Sequence, residues 1–490
     1  MKKYTALLIL TSLLCSLAAC GGTAPETDTP GGDTTAADTT PAETTDPRYA
    51  VKEELPDKTY DGYKVRVLIR NSTSPDWIGD MFSEEETGEV IQDAIYNRNL
   101  TVSDRFDVEL EMIKSSHNNY ETDGVKAILA GDDAYDIIIP HARAAFKYAE
   151  QGLCLDWNTD LPYVDLDKPW WDKDARNSFE INGKLFTMIG DISYQALAQT
   201  DCMMFNKVLF DEYKEEYPYQ KVLDGKWTFD EFERLVKLCS KDVNGDGKMA
   251  PDTDMYGYVT YQWVGPIQAL TQGGGRIVDK DEDGNLVLSI NTERNQKVYE
   301  DYFNLADSQY CYVELNRDEK LSVYDRLDVF KEGRALLVDG NMNDVSYLRD
   351  MKDDFGIIPA PKYDETLDKY YTNVDSGTNL FLVPITCAAS ECVSVVLEAL
   401  CAEGYREVIP AYYEVALQTK YTRDDLSVQM LDIIKEGRVF DIGYYYCGGS
   451  LGSTGYNLWK EADHNFATFY AKNESAVKTN LQKIIDEYGK

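Results

Sequence analysis

Short apolar runs alternate with longer segments of helical period through the first third of the chain. Residues 64–69 alternate apolar and polar positions and then become fully apolar, which predicts a strand. A helical period over 89–106 is followed by a second alternating strand over 108–112, and 136–140 is a short apolar run that ends at a proline. Strands that alternate with helices predict a largely parallel sheet with helices on both faces, an α/β fold.

Helical period predicts further helices in the middle and at the end of the chain. They cover residues 229–238, 291–305, 325–332, 388–403, 406–416, 424–437 and 474–488. Between them, Met342, Tyr347 and 355–359 are expected to return to strand. Residues 279–284 are rich in Asp and Gly and precede an apolar 286–288, so they predict the tip of a hairpin.

Polar residues follow two of the predicted strands directly. Residues 71–77 come after the first strand, and 141–143 come after the apolar run that ends at Pro140. Because ligands bind at the carboxyl ends of strands in open α/β sheets, these two segments are expected at one ligand-binding rim.

The composition restricts the kind of partner. The chain has 490 residues, with 49 Lys and Arg against 86 Asp and Glu, a formal net charge of −37. A hydrophobic share of 43% is enough for a core, and the length predicts more than one. The lack of a basic patch argues against nucleic acid, because a phosphate backbone requires clustered Lys and Arg. A neutral or weakly polar small molecule is the expected partner.

The N-terminus has the features of an export signal. Lys2 and Lys3 precede an apolar stretch that is too short for a membrane span, so residues 1–19 predict a signal peptide. The sequence Leu-Ala-Ala-Cys-Gly at 17–21 resembles the bacterial lipobox, which implies that Cys20 becomes diacylated and anchors the protein to the outer face of the cell membrane. The alternative is an ordinary Cys20 beside a plain signal cleavage site. Residues 20–48 are rich in Thr and Pro and predict a disordered tether.

Eight cysteines remain after Cys15 and Cys20 are set aside. They contain no C-x-x-C pair and have no neighbouring His, which makes a zinc site unlikely on spacing alone. Export would allow disulfides, but Cys239, Cys392 and Cys401 lie in apolar helical contexts, so buried free thiols are the prediction.

Nine short motifs occur in a set order over roughly half of the chain. They lie at residues 136–138, 149–153, 205–210, 227–232, 242–248, 256–258, 273–278, 330–337 and 355–361. This order resembles the family of extracellular solute-binding proteins that includes the maltose- and oligosaccharide-binding proteins of ABC importers. The last third of the chain matches this pattern less clearly.

The resemblance implies a two-lobe periplasmic-binding-protein-like fold of type II, with hinge crossovers between the lobes. By this similarity the first lobe takes 49–198 and 333–398, the second takes 199–332 and 399–490, and the hinges lie near 199–205 and 333–339. The resemblance also implies a monomeric, non-enzymatic protein that captures a carbohydrate and delivers it to ABC permease subunits.

Carbohydrate recognition indicates which residues to examine. Sugars present flat C–H faces that pack on aromatic rings, and hydroxyl groups that need planar polar partners. The candidates near predicted strand ends, hinges or Gly-rich segments are Asp76, Trp77, His141, Arg143, Asp191, Tyr194, Tyr261, Gln262, Trp263 and Tyr445. For Trp263, a place in the core is the alternative.

A second candidate site is a short acidic loop. Asp242, Asn244 and Asp246 match the start of a calcium loop, in which oxygen ligands occupy alternate positions before a glycine. Asp252 completes the proposed set, but the twelfth position is Thr253 instead of the Glu that an EF-hand requires. Calcium is therefore a possible cofactor, and an Asx turn is the alternative.

Two alternative functions would use the same scaffold: that of a surface glycan-active enzyme and that of a ligand-sensing lipoprotein. The sequence favours neither. No pair of carboxylates is distinguished among 86 acidic residues, and the three histidines are dispersed. The G-x-S-x-G match at 448–452 lacks a convincing preceding strand, so a loop is the interpretation.

Overall fold

The computed structural model describes residues 46–70, 80–115, 120–315, 325–418, 425–447, 449–461 and 463–490. The predicted signal peptide, Cys20 and nearly all of the predicted tether lie outside the described residues. A short 3-10 helix, Pro47–Ala50, precedes the first strand. In the part of the chain that is described, we find no helix with both the length and the apolar character needed to cross a bilayer.

Strands and helices alternate through much of the described chain. The strands are Tyr63–Ile69 (β1), Val108–Lys114 (β2), Ile137–Ile139 (β3), Asp201–Asn206 (β4), Tyr256–Tyr261 (β5), Val278–Lys280 (β6), Leu286–Leu288 (β7), Cys311–Glu314 (β8), Ala335–Asn341 (β9), Phe355–Ile358 (β10), Thr372–Asn373 (β11) and Arg438–Val439 (β12). The helices are Val90–Phe106 (α1), Tyr120–Leu129 (α2), Ala142–Ala149 (α3), Lys173–Phe179 (α4), Gln195–Ala198 (α5), Lys207–Tyr213 (α6), Tyr219–Leu223 (α7), Phe229–Cys239 (α8), Val264–Gln272 (α9), Glu293–Ala306 (α10), Arg326–Lys331 (α11), Met342–Tyr347 (α12), Ser390–Glu403 (α13), Ile409–Gln418 (α14), Asp425–Glu436 (α15), Thr454–Leu458 (α16) and Phe466–Tyr488 (α17).

The first sheet is parallel and has the order β2-β1-β3. Tyr63 pairs with Val108, and Val67 pairs with Ile137, so the three carboxyl ends lie at one edge. The three strands that the hydrophobic pattern predicts here are confirmed. β3 is buried throughout because helices cover both faces of a sheet of this kind.

The second sheet is mixed and has the order β10-β4-β9-β5-β8. β5 runs parallel to β8 and β9, whereas β4 runs antiparallel to β9 and β10. The beginning of β4 therefore lies at the same edge as the carboxyl ends of β5 and β9. The strand predicted at 355–359 and the hairpin tip predicted at 279–284 are confirmed, the latter by the antiparallel pair β6–β7.

The prediction that Met342 and Tyr347 lie in a strand is wrong. The chain leaves β9 at Asn341 and enters α12 at once. The Asn341 side chain accepts hydrogen bonds from the backbone N–H groups of Asn343 and Asp344, and the Asp344 carboxylate accepts from the Asn341 N–H. This reciprocal capping box stabilises the first turn of a helix, and it overrides the strand propensity of the apolar residues.

The predicted division into lobes requires a correction. Residues 333–398 were assigned to the first lobe, and a hinge was expected near 333–339. β9 and β10 instead pair with β4, which places them in the second sheet. Likewise 399–490 is not all part of the second lobe, because α14 contacts α1 whereas α15 contacts β10. Strand pairing over long sequence separations, which local pattern does not encode, sets these boundaries.

The connections between the two sheets are tied to each other. Thr200 and Val374 form an isolated antiparallel bridge, and the Asp375 N–H donates to the Gln199 carbonyl over 2.8 Å. Beyond this point the second connection returns to the first sheet, where Leu382 bridges to Ile138. Two crossovers held side by side in this way allow the sheets to rotate about a common line.

Seven cysteines are free and buried, which confirms the prediction of buried thiols for the described residues. They are Cys154, Cys202, Cys239, Cys311, Cys387, Cys392 and Cys401. Burial raises the pKa of the Cys239 and Cys392 thiols to about 12, so these groups stay protonated and behave as small apolar side chains.

One glycine joins the last third of the chain to the segment before the first crossover. A π-helical turn covers Gly404–Val408, between α13 and α14. A Cβ atom at Gly404 would lie 1.9 Å from the carbonyl oxygen of Asp191, so no other residue fits without displacing the backbone. The π-helical turn is thereby fixed against the chain that leads into α5.

Candidate functional site

A cavity of about 390 Å³ lies between the facing edges of the two sheets. We call it the cleft cavity. Its walls come from the carboxyl ends of β3, β5 and β9 and from the crossovers. It is lined by His141, Arg143, Gln199, Tyr261, Trp263, Val264, Arg326, Asn341, Asp344, Asp375, Ser376, Gly377 and Tyr444. This is the position at which open α/β sheets bind ligands.

The edge of the first sheet supplies His141 and Arg143. His141 caps α3 and forms an isolated bridge with Asn379 on the returning crossover. Arg70, directly after β1, donates to the Gly377 carbonyl over 3.0 Å and to the Asn379 amide oxygen over 2.8 Å. The crossover segment is thus anchored to the same edge that presents Arg143.

Three aromatic side chains face the cleft cavity. Tyr261 ends β5, Trp263 precedes α9, and Tyr444 lies in a π-helical turn near the end of the chain. The Trp263 ring stacks on Tyr456, with ring centroids 3.6 Å apart and an interplanar angle of 8°. This stack fixes one face of Trp263, so the orientation of the indole does not depend on a ligand.

Arg143 reaches across the cleft cavity to residues beyond its own sheet. Its Nε donates to the Ser376 hydroxyl oxygen over 2.9 Å. The guanidinium carbon lies 5.6 Å from the Trp263 ring centroid and 5.7 Å from the Tyr444 ring centroid, which are cation–π distances. No carboxylate among the described residues forms an ion pair with this guanidinium.

Arg326, on the opposite wall, is surrounded by acidic side chains. It donates to Asp344 over 2.8 Å and lies 3.5 Å from Glu314 and 3.7 Å from Asp339, atom to atom. Burial raises the pKa of Asp339 to about 6, although the charge of Arg326 opposes this shift. Arg326 is 7% exposed, and its guanidinium lies over the Tyr261 ring.

Asp375 fixes the rim between the crossovers and the late-chain aromatic residues. One carboxylate oxygen accepts a hydrogen bond from the Gly377 N–H, and the other accepts one from the Tyr444 hydroxyl; each donor–acceptor distance is 2.7 Å. Burial, followed by the nearby charge of Asp375, raises the pKa of the Tyr444 hydroxyl. Tyr444 therefore stays protonated and donates to Asp375, and it is one of the residues that line the cavity.

The structure brings together four of the predicted ligand residues and separates the others. His141, Arg143, Tyr261 and Trp263 all line the cleft cavity. Gln262, in the turn between β5 and α9, is only 4% exposed and is not among the residues that line the cavity. Asp76 and Trp77 lie outside the described residues.

Tyr445 is not at the cavity. It is 1% exposed, and its hydroxyl donates to the Val374 carbonyl over 3.0 Å. Its neighbour Tyr444 takes the cavity position instead. The sequence predicts that an aromatic residue of this Gly-rich segment lines the cleft. The π-helical turn that determines which ring faces the cavity has no clear sequence signature.

Asp191 and Tyr194 do not line the cleft cavity either. Asp191 faces a second cavity, of about 540 Å³, which we call the hinge-side cavity; Leu197, Tyr405, Tyr413, Lys435 and Arg438 are among the residues that line it. The Tyr194 N–H donates to Asp80 over 2.6 Å, and its ring stacks on Tyr412. The sequence places both residues near a crossover, but it does not show on which side of the crossover they lie.

Several lining residues were missed by the sequence analysis: Gln199, Arg326, Asn341, Asp344, Asp375, Ser376 and Tyr444. Asn341 and Asp344 could have been found, because Asn followed three residues later by Asp is a helix-start signal directly after an apolar strand. Gln199, Asp375 and Ser376 reach the cavity through the bridge between the crossovers, which joins residues more than 170 positions apart. Arg326 reaches it from the start of α11, and Tyr444 from a π-helical turn.

The acidic loop has the geometry of Asx turns. Asp242 accepts from the backbone N–H groups of Gly245 and Gly247 over 2.7 and 2.8 Å, and Asn244 accepts from the Asp246 N–H over 2.9 Å. Within the described residues, no group of three or more His, Cys, Asp or Glu side chains is arranged to hold a metal ion. The calcium prediction, including Asp252, therefore gains no support, and the Asx turn accounts for the loop.

Comparison with known proteins agrees with the fold. The chain is similar to the ABC substrate-binding protein Lmo0181 from Listeria monocytogenes, solved in complex with cycloalternan: 16% identity, 88% of this chain and 100% of that chain covered, TM-score 0.54. It is similar to the Rhizobium etli sugar transporter RHE_PF00321 in an open conformation: 14% identity, 87% and 99% covered, TM-score 0.55. A cyclo/maltodextrin-binding protein complexed with maltotetraose gives 16% identity, 90% and 98% covered, and TM-score 0.54.

At these identities the structural likeness shows the fold alone, and it confirms the predicted two-lobe periplasmic-binding-protein-like fold. No curated protein sequence matches the chain. The sequence pattern described as bacterial extracellular solute-binding protein matches residues 87–378, more than half of the chain. The resemblance seen in the ordered motifs is thereby confirmed, and the chain belongs to the family of bacterial extracellular solute-binding proteins.

Proposed function

We propose that this chain captures a carbohydrate in the cleft cavity and delivers it to the membrane subunits of an ABC importer. The single observation that carries the proposal is the lining of that cavity, where three aromatic rings stand among planar hydrogen-bonding side chains. Rings pack against the C–H faces of a sugar, while guanidinium, carboxylate and amide groups satisfy its hydroxyls. Two of the similar structures were solved with oligosaccharides bound.

Binding and movement of the lobes are coupled in this proposal. Arg143 comes from the edge of the first sheet, whereas Tyr261 and Arg326 come from the second. A sugar that contacts both walls binds more tightly when the walls are close, so it shifts the population toward a closed arrangement. Closure is the signal that an importer's membrane subunits would recognise.

The location of the protein follows from the N-terminus in this proposal. Membership in an extracellular family means export, and the proposed diacyl anchor at Cys20 would keep the chain at the outer face of the membrane as a monomer on a tether. Cys20→Ser should release the protein into the medium, because a chain without the diacyl group has no anchor. Partition into detergent by the Cys20→Ser protein would contradict the lipid anchor.

Calorimetry against a panel of oligosaccharides tests the central claim. The full chain should evolve or absorb heat with at least one saccharide, and chromatography of the same mixture should show the saccharide unchanged. Release of a shorter product would instead favour a glycan-active enzyme. Absence of heat with every saccharide, in a protein shown to be folded by circular dichroism, would contradict carbohydrate binding.

A further inference from the structure

Arg143 differs from the other charged side chains of the cleft cavity because no described residue serves as its counterion. Within the described residues its hydrogen bond is the one from Nε to Ser376, and the N–H groups of Nη1 and Nη2 have no acceptor there. The guanidinium lies over the rings of Trp263 and Tyr444, and Arg143 lines the cavity.

The other three charged groups at the cavity are already matched. Arg326 and Asp344 form an ion pair over 2.8 Å, and Asp344 also accepts from the Asn341 N–H. Asp375 accepts two hydrogen bonds, from Gly377 and Tyr444. An incoming ligand therefore meets Arg143 as the charged group with unused hydrogen-bonding capacity.

An unmatched guanidinium in a partly buried cavity is costly unless something pairs with it. This chain has 86 acidic residues with which to provide a partner, and none of those described forms an ion pair with Arg143. The planar edge of a guanidinium matches a carboxylate with two parallel hydrogen bonds, a geometry that a single hydroxyl cannot reproduce.

We infer that the ligand brings the missing carboxylate, and that the cleft cavity binds an acidic saccharide, one that contains a uronic acid, with its carboxylate on Arg143. This inference rests on the proposed carbohydrate function and names the class of sugar. It replaces the expectation of an uncharged solute, which came from the net charge of the whole chain. The local environment of Arg143 determines which ligand charge the cavity prefers, because the charge of the distant surface is screened by salt.

Calorimetry on the full chain in detergent tests this assignment. The probes are digalacturonate, diglucuronate and dimannuronate, each beside the neutral disaccharide of the parent hexose. At least one acidic disaccharide should bind about ten- to a hundredfold more tightly than its neutral counterpart, the scale of a charge-assisted hydrogen-bonded pair.

Three variants show whether Arg143 is the cause. Arg143→Gln should remove the preference for the acid, so that the acidic and the neutral disaccharide bind with nearly equal affinity. Arg143→Lys should restore part of the preference, because it keeps the charge but loses the paired geometry. Arg349→Gln is the matched control: its side chain is 71% exposed outside the cavity, so both affinities should stay the same.

Each outcome decides the inference. If neutral disaccharides bind and no acidic one binds more tightly, the acidic-sugar assignment is wrong and the carbohydrate function stands. If the preference for the acid survives in Arg143→Gln, the carboxylate does not bind at Arg143 and the assignment is also wrong. If no saccharide of either kind binds, the carbohydrate function fails and this inference fails with it.

Discussion

Two arginines on opposite walls of the cleft cavity have opposite environments. Arg326 has three acidic neighbours, is almost completely buried and is fixed in the second sheet. Arg143 has no acidic partner among the described residues and donates to one hydroxyl. The same side chain therefore stabilises the wall in one case and remains available to a ligand in the other. Aromatic neighbours do not separate the two roles, since both arginines lie beside aromatic rings.

The strongest test of this difference is a matched pair of substitutions. Arg326→Met leaves Asp339, Asp344 and Glu314 without their cation, so we expect the free energy of unfolding to fall by about 3–5 kcal/mol. Arg143→Met removes no ion pair and should change the free energy of unfolding by less than about 1 kcal/mol. Urea denaturation of both variants measures this. Equal losses would mean that the arginines do not differ in the way the contacts indicate.

The second test concerns Trp263, which contacts Arg143 on one side and Tyr456 on the other. Trp263→Ala should weaken saccharide binding by about 1–3 kcal/mol, the scale of losing a buried aromatic face. Trp263→Phe should recover part of this loss because a ring remains. Calorimetry measures both. An unchanged affinity in a folded Trp263→Ala protein would remove this residue from the ligand site.

Asp191, at the hinge-side cavity, is an acidic side chain that, like Arg143, forms no ion pair among the described residues. Burial raises its pKa from 3.8 to about 7, with Lys435 and Arg438 opposing the shift. The folded protein therefore keeps a proton that the unfolded chain releases, and its contribution to stability is lost as pH rises from about 4 through 7. Compared with Asp191→Asn, the wild type should lose about 1–2 kcal/mol over this range, less than the full linkage value because the group is partly exposed.

Denaturation curves of the two proteins at pH 5 and pH 8 measure this contribution as a difference, which cancels the titration of the other acidic residues. Parallel curves for wild type and Asp191→Asn would show that Asp191 titrates normally in the fold. Burial would then not raise the pKa of Asp191.

The smallest expected effect is at Ser376, which accepts the hydrogen bond from Arg143. Ser376→Ala should weaken binding of an acidic disaccharide by about 0.5–1.5 kcal/mol, because the guanidinium loses the contact that orients it. The neutral disaccharide should be affected less. Calorimetry with both ligands separates the two effects, and an equal loss for both would assign Ser376 a direct contact with the sugar ring.

Local pattern was sufficient for the sites that follow a strand directly. β1 and β3 are short apolar runs, and Arg143, two residues after Pro140, is placed at the ligand edge of the first sheet by the parallel arrangement. Helix boundaries were also predicted closely: the 229–238 prediction corresponds to Phe229–Cys239. In both cases residues close in sequence determine the structure.

The remaining part of the cleft cavity depends on contacts that are distant in sequence. Asp375 and Ser376 reach it because Val374 bridges to Thr200, and Tyr444 reaches it through a π-helical turn that follows β12. In the sequence Arg326 is one charged residue of a predicted helix. Its acidic neighbours Glu314 and Asp339 lie on β8 and β9, and only the fold brings them beside it. The pairing of β9 with β4 and β5, which places it outside the predicted first lobe, is of the same kind, since pairing partners do not appear in a local pattern.

The stack of Trp263 on Tyr456 gives the protein a built-in optical reporter. Trp157, Trp170, Trp171 and Trp227 are at most 2% exposed, so a ligand in the cleft cavity does not touch them. Trp263 lines that cavity with its other face held by Tyr456. Displacement of water from the Trp263 indole should change the intrinsic fluorescence of the protein, so that occupancy can be followed in stopped-flow without a dye.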